Sequence, residues 1–395
     1  MLMLVQNNSV PFDIRVWREC RSLRDRGCDV VAVCPRGVGW DTEPFEEIEG
    51  IAIHRYAPGP SGGNVIGYLH EYLTALFRIW GLSRRLARER PFDAVHAANP
   101  PDLLLLAALP LKRRGAKFIF DHHDLGPELY EVRFGKKGPI YRASVLFERL
   151  SFRLADVVIA TNESYRRIAL RRGGKHPDDV FVVRNDPETR VSPPVQPDFE
   201  LRRGRKHLIG YAGLMAAQDG VDHALRALAE LKRKRHDWFA VFVGDGEAMP
   251  ELRRLASDLD LKHDIEFTGW VDQAEVRSVL AACDICLAPE PKNPLTDAST
   301  MIKVAEYMGL GRPVVAYGLS ETRFSAGEAG IYAEPNDVAS LASRIDELLE
   351  DPERRAEMAA VGRERVKRLF TWERSEAELL AAYRRALGKD AEPKV

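Results

Sequence analysis

Apolar and polar positions alternate along the chain in a way that predicts strands and helices in turn. Short apolar or β-branched runs are separated by amphipathic stretches such as residues 16–26 and 221–234. This pattern is typical of parallel sheets with helices on both faces. It predicts strands at residues 1–6, 29–34, 51–56, 94–97, 117–121, 157–160 and 180–184, and then at 208–212, 239–243, 265–267, 285–288, 313–316 and 330–332.

A polar, proline-rich stretch separates the two sets of strands. It lacks apolar periodicity, so we place an interdomain linker at residues 191–206. We therefore expect an α/β protein with two doubly wound domains, residues 1–190 and 207–371, facing each other across a cleft. The length of 395 residues suits two such domains. Ligands bind sheets of this kind at the carboxyl ends of their strands.

Composition narrows the class of protein. The chain is 45% hydrophobic and 30% charged, with net charge −1, as expected for a globular protein. Cys283 and Cys286 form a lone CxxC without a second pair, which favours buried thiols over zinc. No apolar run reaches the ~20 residues of a membrane span. The first 190 residues are net basic and the rest net acidic, which fits an anionic partner or incidental variation in surface charge.

Residues 297–316 have the order of parts found in a phosphate site: a polar loop, a short helix, a glycine stop and a buried strand. Free backbone N–H groups and the helix dipole attract anions at a helix start. Ser299 or Thr300 can cap this helix, and Lys303 and Glu306 share one of its faces. A capped helix with a surface ion pair is the structural alternative.

This region resembles the donor-binding motif of the retaining glycosyltransferases of family 4, which have the GT-B fold. Residues 306–316 are similar to that family's Glu-Ala-Met-Ala-x-Gly-x-Pro-Val-Val-Ala block. The resemblance implies that Glu306 holds the ribose hydroxyls of a sugar nucleotide and that backbone at residues 300–302 holds its diphosphate. The family's first Glu falls on Ala298, and the nearest carboxylate is Asp297.

A second departure lies in residues 210–222, which resemble the family segment Gly-Arg-Leu-x-x-x-Lys-Gly. The family's Arg falls on Leu214 and its Lys on Asp219. Because a buried dianion without a cation is very costly, we expect Lys303 to replace those two cations at the diphosphate.

Two further turns complete the predicted donor site. Residues 244–247 match a Gly-Asp-Gly turn of the family, for which we expect a structural role. Trp270 and Val271 fall in a segment that borders the nucleotide base in the family, although Trp270 is equally well explained as a packing residue. The donor-binding prediction comprises Gly213, Gln218, Asp219, Trp270, Val271, Asp297, Ser299, Thr300, Met301, Ile302, Lys303 and Glu306.

In the first half, His123 and Asp124 follow a predicted strand end. The resemblance implies that they position the donor sugar and stabilise positive charge at its anomeric carbon, and with Glu306 they form the predicted catalytic set. A capped structural turn is the alternative. Residues 13–17 read Asp-Ile-Arg-Val-Trp, similar to a variant found in a branch that acts in polysaccharide assembly. The predicted acceptor-side residues are Asp13, Arg15, Asp102 and Glu128.

One helical stretch has an aromatic, apolar face followed by arginines. That face comprises Ile66, Leu69, Tyr72, Leu73, Leu76, Phe77 and Trp80, and Arg84, Arg85, Arg88 and Arg90 follow it. The pattern fits peripheral contact with an anionic membrane surface. It fits equally a helix that packs on the core and has a solvated end.

We therefore expect a cytoplasmic enzyme, peripheral to the inner face of the membrane, that moves a sugar from a nucleotide-sugar donor, with UDP favoured, to a glycan or lipid-linked acceptor. We expect no cofactor and no divalent metal, because the DxD at Asp258 and Asp260 lies in a helical stretch. No nucleic-acid partner is expected. The final helix, residues 372–388, is expected to pack on the first domain. The alternatives are a sugar-nucleotide epimerase on the same fold and a non-catalytic nucleotide-sugar-binding protein.

Overall fold

The computed structural model describes residues 1–59, 65–186 and 195–388. The chain divides into two compact units. Unit 1 comprises Met1–Asn185 with Glu373–Val395, and unit 2 comprises Asp186–Trp372. Residues 191–194 of the predicted linker lie outside the described residues, as do the side chains of Ile66 and Leu69.

The sheet of unit 1 is parallel except at one edge. Its strands run side by side in the order β3-β4-β2-β1-β5-β6-β7-β8, and only β3 pairs antiparallel. The central strands are buried along their length because helices cover both faces. The strands are β1 (Leu2–Val5), β2 (Val31–Pro35), β3 (Phe45–Ile48), β4 (Ile51–Tyr56), β5 (Ala94–Ala98), β6 (Lys117–His122), β7 (Val157–Ala160) and β8 (Val180–Val182).

Two of the first six helices of unit 1 begin at a capping side chain. Asp13 caps the first of them by accepting a hydrogen bond from the Val16 N–H, and Asn162 caps the last in the same way. The second buries Leu76, Ile79 and Leu86. The helices are α1 (Ile14–Asp25), α2 (Val65–Glu89), α3 (Leu105–Lys112), α4 (Gly126–Phe134), α5 (Pro139–Leu154) and α6 (Glu163–Arg171).

The sheet of unit 2 is parallel throughout, in the order β11-β10-β9-β12-β13-β14. Strand order reverses between β9 and β12, and such a switch point is where open α/β sheets bind ligands. The strands are β9 (His207–Ala212), β10 (Trp238–Val243), β11 (Ile265–Gly269), β12 (Ile285–Ala288), β13 (Val314–Tyr317) and β14 (Gly330–Ala333).

Helices cover this second sheet as well, with two apolar cores on its opposite faces. The helices are α7 (Val221–Lys232), α8 (Met249–Asp258), α9 (Gln273–Ala282), α10 (Pro294–Ala298), α11 (Ile302–Gly309), α12 (Ser320–Ala326), α13 (Val338–Glu350) and α14 (Pro352–Leu369). The chain then forms α15 (Trp372–Leu387). In α15, Tyr383 Oη lies 2.9 Å from His96 Nδ1 on β5, and Arg385 pairs with Asp179.

The predicted fold class, two doubly wound α/β sheets, is confirmed. The predicted strands are present with ends that differ by one or two residues. Strand β3 was missed because its sequence, Phe-Glu-Glu-Ile, is half charged. Charged side chains are common on an edge strand, since one side of it meets water. Within the described residues, none of the helices combines the length and apolarity needed to cross a membrane.

Candidate functional site

Two glycine turns meet at the carboxyl ends of β9 and β10 in unit 2. Gly213 has φ +151° and Gly244 has φ +126°, values that side chains rarely allow. A Cβ added at Gly244 would lie 2.0 Å from the Gly213 carbonyl oxygen, and one at Gly246 would lie 2.4 Å from that of Met215. Backbone therefore packs on backbone, which fixes the shape of the loop on the predicted donor side.

Lys303 reaches this glycine turn from the first turn of α11. Its Nζ lies 2.8 Å from Glu290 Oε1, 3.0 Å from Tyr211 Oη and 3.7 Å from Asp219 Oδ1. A Cβ at Gly213 would lie 3.0 Å from the same Nζ. The amine thus stands next to the loop that carries Leu214 and Asp219, where the family has its two cations.

The charges around Lys303 are not balanced, because one ammonium serves two buried carboxylates. Burial opposes the charge of Lys303, but Glu290, Tyr211 and Asp219 outweigh it and raise the pKa of the amine above its usual range. Burial also raises the pKa of Asp219 to about 6, although Lys303 opposes the shift. Asp219 therefore changes charge near neutral pH.

Glu290 is the residue of this cluster that sequence reasoning missed. It is 1% exposed and lies two residues beyond the end of β12. Its signal was available, since it is the first charged residue after a buried strand at the carboxyl edge of a parallel sheet. Lys303 is thus held in place, and its predicted role at a diphosphate requires the amine to be shared with, or released by, Glu290.

The start of α11 differs from the prediction. The helix begins at Ile302 with Met301 at the N-cap position, so neither Ser299 nor Thr300 caps it. Ser299 instead ends α10 and donates its hydroxyl hydrogen bond to the Leu295 carbonyl. The reason is a capping box at Asn293 and Thr296, which starts a separate short helix.

Glu306 lies one turn along α11 from Lys303. Among the described residues, none donates a hydrogen bond to its carboxylate or forms an ion pair with it. Burial raises its pKa, with Lys303 opposing the shift. Asp297, in contrast, accepts a hydrogen bond of 2.8 Å from the Ser320 N–H and so supports the start of α12. Its use as a sugar ligand stays a prediction.

The remaining donor-side residues lie on the same edge of unit 2. Trp270 is 80% exposed, which rules out the alternative that it packs in the core. Val271 packs against the core on one face of the sheet. Gln218 and Asp219 form a short 3₁₀ turn that follows the glycine turn of β9.

Unit 1 contains a buried charge cluster at the carboxyl ends of β5 and β6. Arg15 donates two hydrogen bonds to Asp121, of 3.1 and 2.9 Å, and lies 3.2 Å from Glu19. His123 Nδ1 lies 3.0 Å from the same Asp121 carboxylate, and His96 Nε2 lies 3.6 Å from Glu19. Asp121 therefore links an arginine inside the unit to a histidine at its edge.

These contacts set the charge of each group. Burial opposes ionisation of Asp121, but Arg15 and His123 outweigh it and hold its pKa well below the usual range. Burial likewise disfavours the imidazolium of His123, yet Asp121 raises the pKa of that ring to about 9. Burial, with repulsion from Asp121, raises the pKa of Glu19 to about 7. His123 is therefore a cation at neutral pH. Its Nδ1 contacts Asp121, and its Nε2 is on the other side of the ring.

Three of the predicted acceptor-side residues have structural partners instead. Arg15 is 5% exposed and is enclosed by Asp121 and the Val183 carbonyl, so its side chain does not lie on the surface. Asp13 caps α1. Glu128 is held by Arg172 at 2.7 and 3.3 Å. Each of the three side chains thus has a partner within unit 1, and their acceptor-side role stays a prediction.

Glu19, His96 and Asp121 have the residue types of a metal site, with one ligand atom of each lying within 4.8 Å of the others. The guanidinium of Arg15 lies between the two carboxylates and pairs with both. Arg15 therefore accounts for their proximity without an ion. Tyr383 fixes the other nitrogen of His96, and neither residue was identified from sequence.

The sequence of each half matches a known family. Residues 13–186 match the glycosyl transferase 4-like domain, and residues 206–351 match glycosyl transferases group 1. The chain is 32% identical over 299 residues to a GDP-mannose-dependent monoacylated alpha-(1-6)-phosphatidylinositol monomannoside mannosyltransferase of Corynebacterium glutamicum, covering 73% of this chain and 75% of that one. It is 28% identical over 317 residues to the 2-deoxystreptamine glucosyltransferase of Streptomyces kanamyceticus, covering 78% and 81%.

Solved structures agree at the level of the fold. A sucrose-phosphate synthase from Thermosynechococcus elongatus superposes with a TM-score of 0.78 at 18% identity, covering 97% of this chain and 98% of that one. HepE of Anabaena, in complex with UDP-glucose, gives 0.70 at 20% identity with coverage of 97% and 98%. The chain belongs to the GT-B glycosyltransferases of the family 4 and group 1 type, as its sequence motifs predicted.

Proposed function

We propose that this glycosyltransferase moves a sugar from a nucleoside diphosphate sugar to an acceptor hydroxyl with retention of configuration. The observation that carries the proposal is the position of Lys303, whose Nζ stands beside the glycine turn of β9 while Glu306 follows one helical turn later. A cation, free N–H groups at a helix start and an unpartnered carboxylate suit a diphosphate and the diol of a ribose.

In this proposal the donor lies along the carboxyl edge of the sheet in unit 2. The diphosphate contacts Lys303 and the backbone at the start of α11, and Glu306 accepts hydrogen bonds from the ribose. The exposed ring of Trp270 stacks on the base. A UDP-sugar is favoured because HepE was solved with UDP-glucose, whereas a relative that depends on GDP-mannose makes GDP the competing choice.

His123 positions the donor sugar. Because Asp121 raises its pKa to about 9, the ring is a cation and would repel positive charge at the anomeric carbon. The resemblance implied both positioning of the sugar and stabilisation of that charge, so we keep only positioning, through hydrogen-bond donation from Nε2 to a sugar oxygen. In the transfer, the acceptor oxygen bonds to the anomeric carbon, the bond to the diphosphate breaks, and the diphosphate takes the acceptor proton. Catalysis is then mainly positioning and electrostatics.

The acceptor in this proposal is a glycan or a lipid-linked molecule of cell-surface polysaccharide synthesis, with the enzyme in the cytoplasm at the inner face of the membrane. Leu73, Phe77 and Trp80 form an exposed apolar stripe on α2, and Arg84 stacks over Trp80. An apolar stripe that ends in arginines supports binding to an anionic bilayer.

The test is a panel of UDP- and GDP-sugars assayed for release of the nucleoside diphosphate, with Glu306→Gln beside wild type. We expect one donor to be turned over, and Glu306→Gln to raise its KM at least tenfold because a charged acceptor of ribose hydrogen bonds is lost. Glu353→Gln, on the exposed first turn of α14, is the matched control. Interconversion of free sugar nucleotides without diphosphate release would instead indicate an epimerase.

A further inference from the structure

A cavity in unit 1 has walls that are almost entirely apolar. Its volume is about 270 Å³, close to the lower bound of about 300 Å³ for small-molecule sites. Side chains from α2, α4 and α5 form the walls, among them Tyr72, Leu129, Phe134, Ile140 and Phe147.

One end of this cavity is polar and adjoins the loop that carries His123. Asp102 and Asp124 both line it. Asn99 joins the two, because its side-chain N–H groups donate to Asp102 Oδ1 at 3.0 Å and to the Asp124 carbonyl at 2.8 Å. The other polar groups of the lining are Arg133, Ser144 and the hydroxyl groups of Tyr72 and Tyr130. The cavity is thus amphipathic, with carboxyl groups at the end nearest the predicted catalytic histidine.

We propose that this cavity binds the alkyl chain of an amphipathic acceptor whose hydroxylated head lies at Asp102 and Asp124. The proposal rests on the proposed transfer to an acceptor hydroxyl, and it narrows the acceptor from a glycan to a molecule with a lipid part. The head hydroxyls donate hydrogen bonds to the two carboxyl groups, next to His123. The chain lies along Leu129, Phe134, Ile140 and Phe147.

An alkyl chain fits better than a compact aromatic group because the apolar surface continues beyond the cavity. Leu129, Phe134 and Ile140 line the cavity and are still 37%, 37% and 42% exposed. A chain can therefore fill the cavity and continue over its open side, and large exposed apolar patches commonly mark sites of this kind.

A neutral, hydroxylated head fits better than an anionic one. Burial raises the pKa of Asp124, and burial together with repulsion from Glu148 raises the pKa of Asp102 to about 7. Carboxyl groups in this state can accept and donate hydrogen bonds with a polyol. A phosphate next to them would meet two acidic groups, with Arg133 as the cation of the lining.

The test is calorimetric titration of the full chain with methyl, hexyl and octyl β-glucoside, below their micelle concentrations. We expect affinity to rise with chain length, by up to about fourfold for each buried methylene. Ala143→Trp, which adds bulk at an exposed position of the lining, should weaken octyl glucoside at least tenfold. Ile140→Asp, at the half-exposed rim, should weaken octyl glucoside binding to the same extent, and it serves as the test if Ala143→Trp does not fold. Leu146→Asp, outside the lining, should bind as wild type.

Several results would overturn the proposal. Equal affinity for all three glucosides would refute an alkyl-chain site in the cavity. Unchanged octyl glucoside binding in both cavity variants would refute it as well. Octyl sulfate, an anion with the same alkyl chain, is expected to bind at least tenfold more weakly, and equal binding would contradict the neutral, hydroxylated head. These titrations do not depend on turnover of a nucleotide sugar. The proposed sugar transfer and the proposed alkyl-chain site can therefore be refuted independently. A protein that releases diphosphate but binds all glucosides alike refutes the cavity alone.

Discussion

The two buried charge clusters, around Asp121 in unit 1 and around Lys303 in unit 2, differ in how their charges balance. Arg15 and His123 flank Asp121 and hold it ionised. Lys303 alone faces both Glu290 and Asp219. The first cluster keeps its charge near neutral pH, apart from Glu19, whereas the second has an excess of carboxylate. The Asp121 cluster therefore suits the positioning of a side chain. The charge of the Lys303 cluster changes when an anionic ligand or a proton binds.

The largest expected effect is that of Lys303→Ala, because Lys303 is the one cation that pairs with Glu290 and Asp219 among the described residues. We expect turnover at a saturating concentration of the nucleotide sugar to fall at least 100-fold. Losses of this size follow when a group that stabilises negative charge in the transition state is removed. The free energy of unfolding should fall by about 3–5 kcal/mol, since Glu290 and Asp219 stay buried without a partner. Steady-state kinetics and urea unfolding measure the two effects. Lys262→Ala, on an exposed turn, is the control, and near wild-type turnover in Lys303→Ala would refute the role.

A smaller effect is expected from Asp121→Asn, which tests the balanced cluster. The pKa of His123 is raised, so its stabilising contribution is complete below about pH 6.5 and is lost as pH rises through about 9. We expect kcat to drop on the basic side near pH 9 in wild type and near pH 6.5 in Asp121→Asn. Loss of the negative partner of Arg15 should also lower stability. A pH–rate profile with NMR titration of the His123 ring provides the measurement.

If the basic limb of that profile stays in place in Asp121→Asn, His123 is not the group that titrates. Asp156→Asn provides a comparison, because this carboxylate pairs with Lys112 at the other end of β6. It should lower stability without moving the pH profile.

Asp219→Asn should produce a more modest change in unit 2. The pKa of Asp219 is raised to about 6, so protonation favours the folded cluster at low pH and this contribution is lost as pH rises through 6. In wild type, affinity for a nucleoside diphosphate should therefore fall between pH 5 and 7. In Asp219→Asn this fall should be absent, which leaves only the titration of the nucleotide's own terminal phosphate near about pH 6. Affinity should be on the order of tenfold tighter at pH 8, because one repelling charge is worth about 1–2 kcal/mol. Calorimetric titration with the nucleoside diphosphate at several pH values is the measurement. The same dependence of affinity on pH in both proteins would contradict this role of Asp219.

The smallest effects concern backbone geometry. Gly244→Ala should destabilise unit 2 by about 1–3 kcal/mol, since its φ is +126° and the new Cβ would meet the Gly213 carbonyl. Gly81→Ala in α2, where a Cβ meets nothing within 4 Å, should stabilise by about 0.5–1 kcal/mol. Thermal unfolding of both variants is the measurement. A neutral Gly244→Ala would mean that the glycine turns are not tightly fixed.

The fold and the position of Lys303 were accessible from sequence because both depend on local patterns. Strand periodicity, a glycine stop after residue 308 and a motif around Glu306 are visible along the chain. The contacts of Lys303 were not accessible, since Tyr211 lies on β9, Glu290 follows β12, and only the folded sheet brings them to the amine. For the same reason the sequence did not show that Arg15, a predicted acceptor-side residue, pairs with Asp121, which lies 106 residues away along the chain.

The start of α11 shows that some local features were also not predictable from residue type. Ser299 and Thr300 are good N-caps by type, yet the capping box at Asn293 starts a helix earlier and moves the next start to Ile302. Competition between two nearby helix starts is decided by small energy differences of about 1 kcal/mol, which residue type alone does not resolve.

The most direct test of the central claim is nucleoside diphosphate binding by the double variant Lys303→Met, Glu290→Gln. The second change removes the carboxylate that Lys303 pairs with most closely, so unfolding free energy should stay close to wild type while the cation is lost. Calorimetry with UDP and with GDP should then show affinity for the preferred nucleotide at least 100-fold weaker, as expected for about 3 kcal/mol of lost charge pairing. A folded double variant that binds this nucleotide as tightly as wild type would contradict the assignment of Lys303 to the diphosphate.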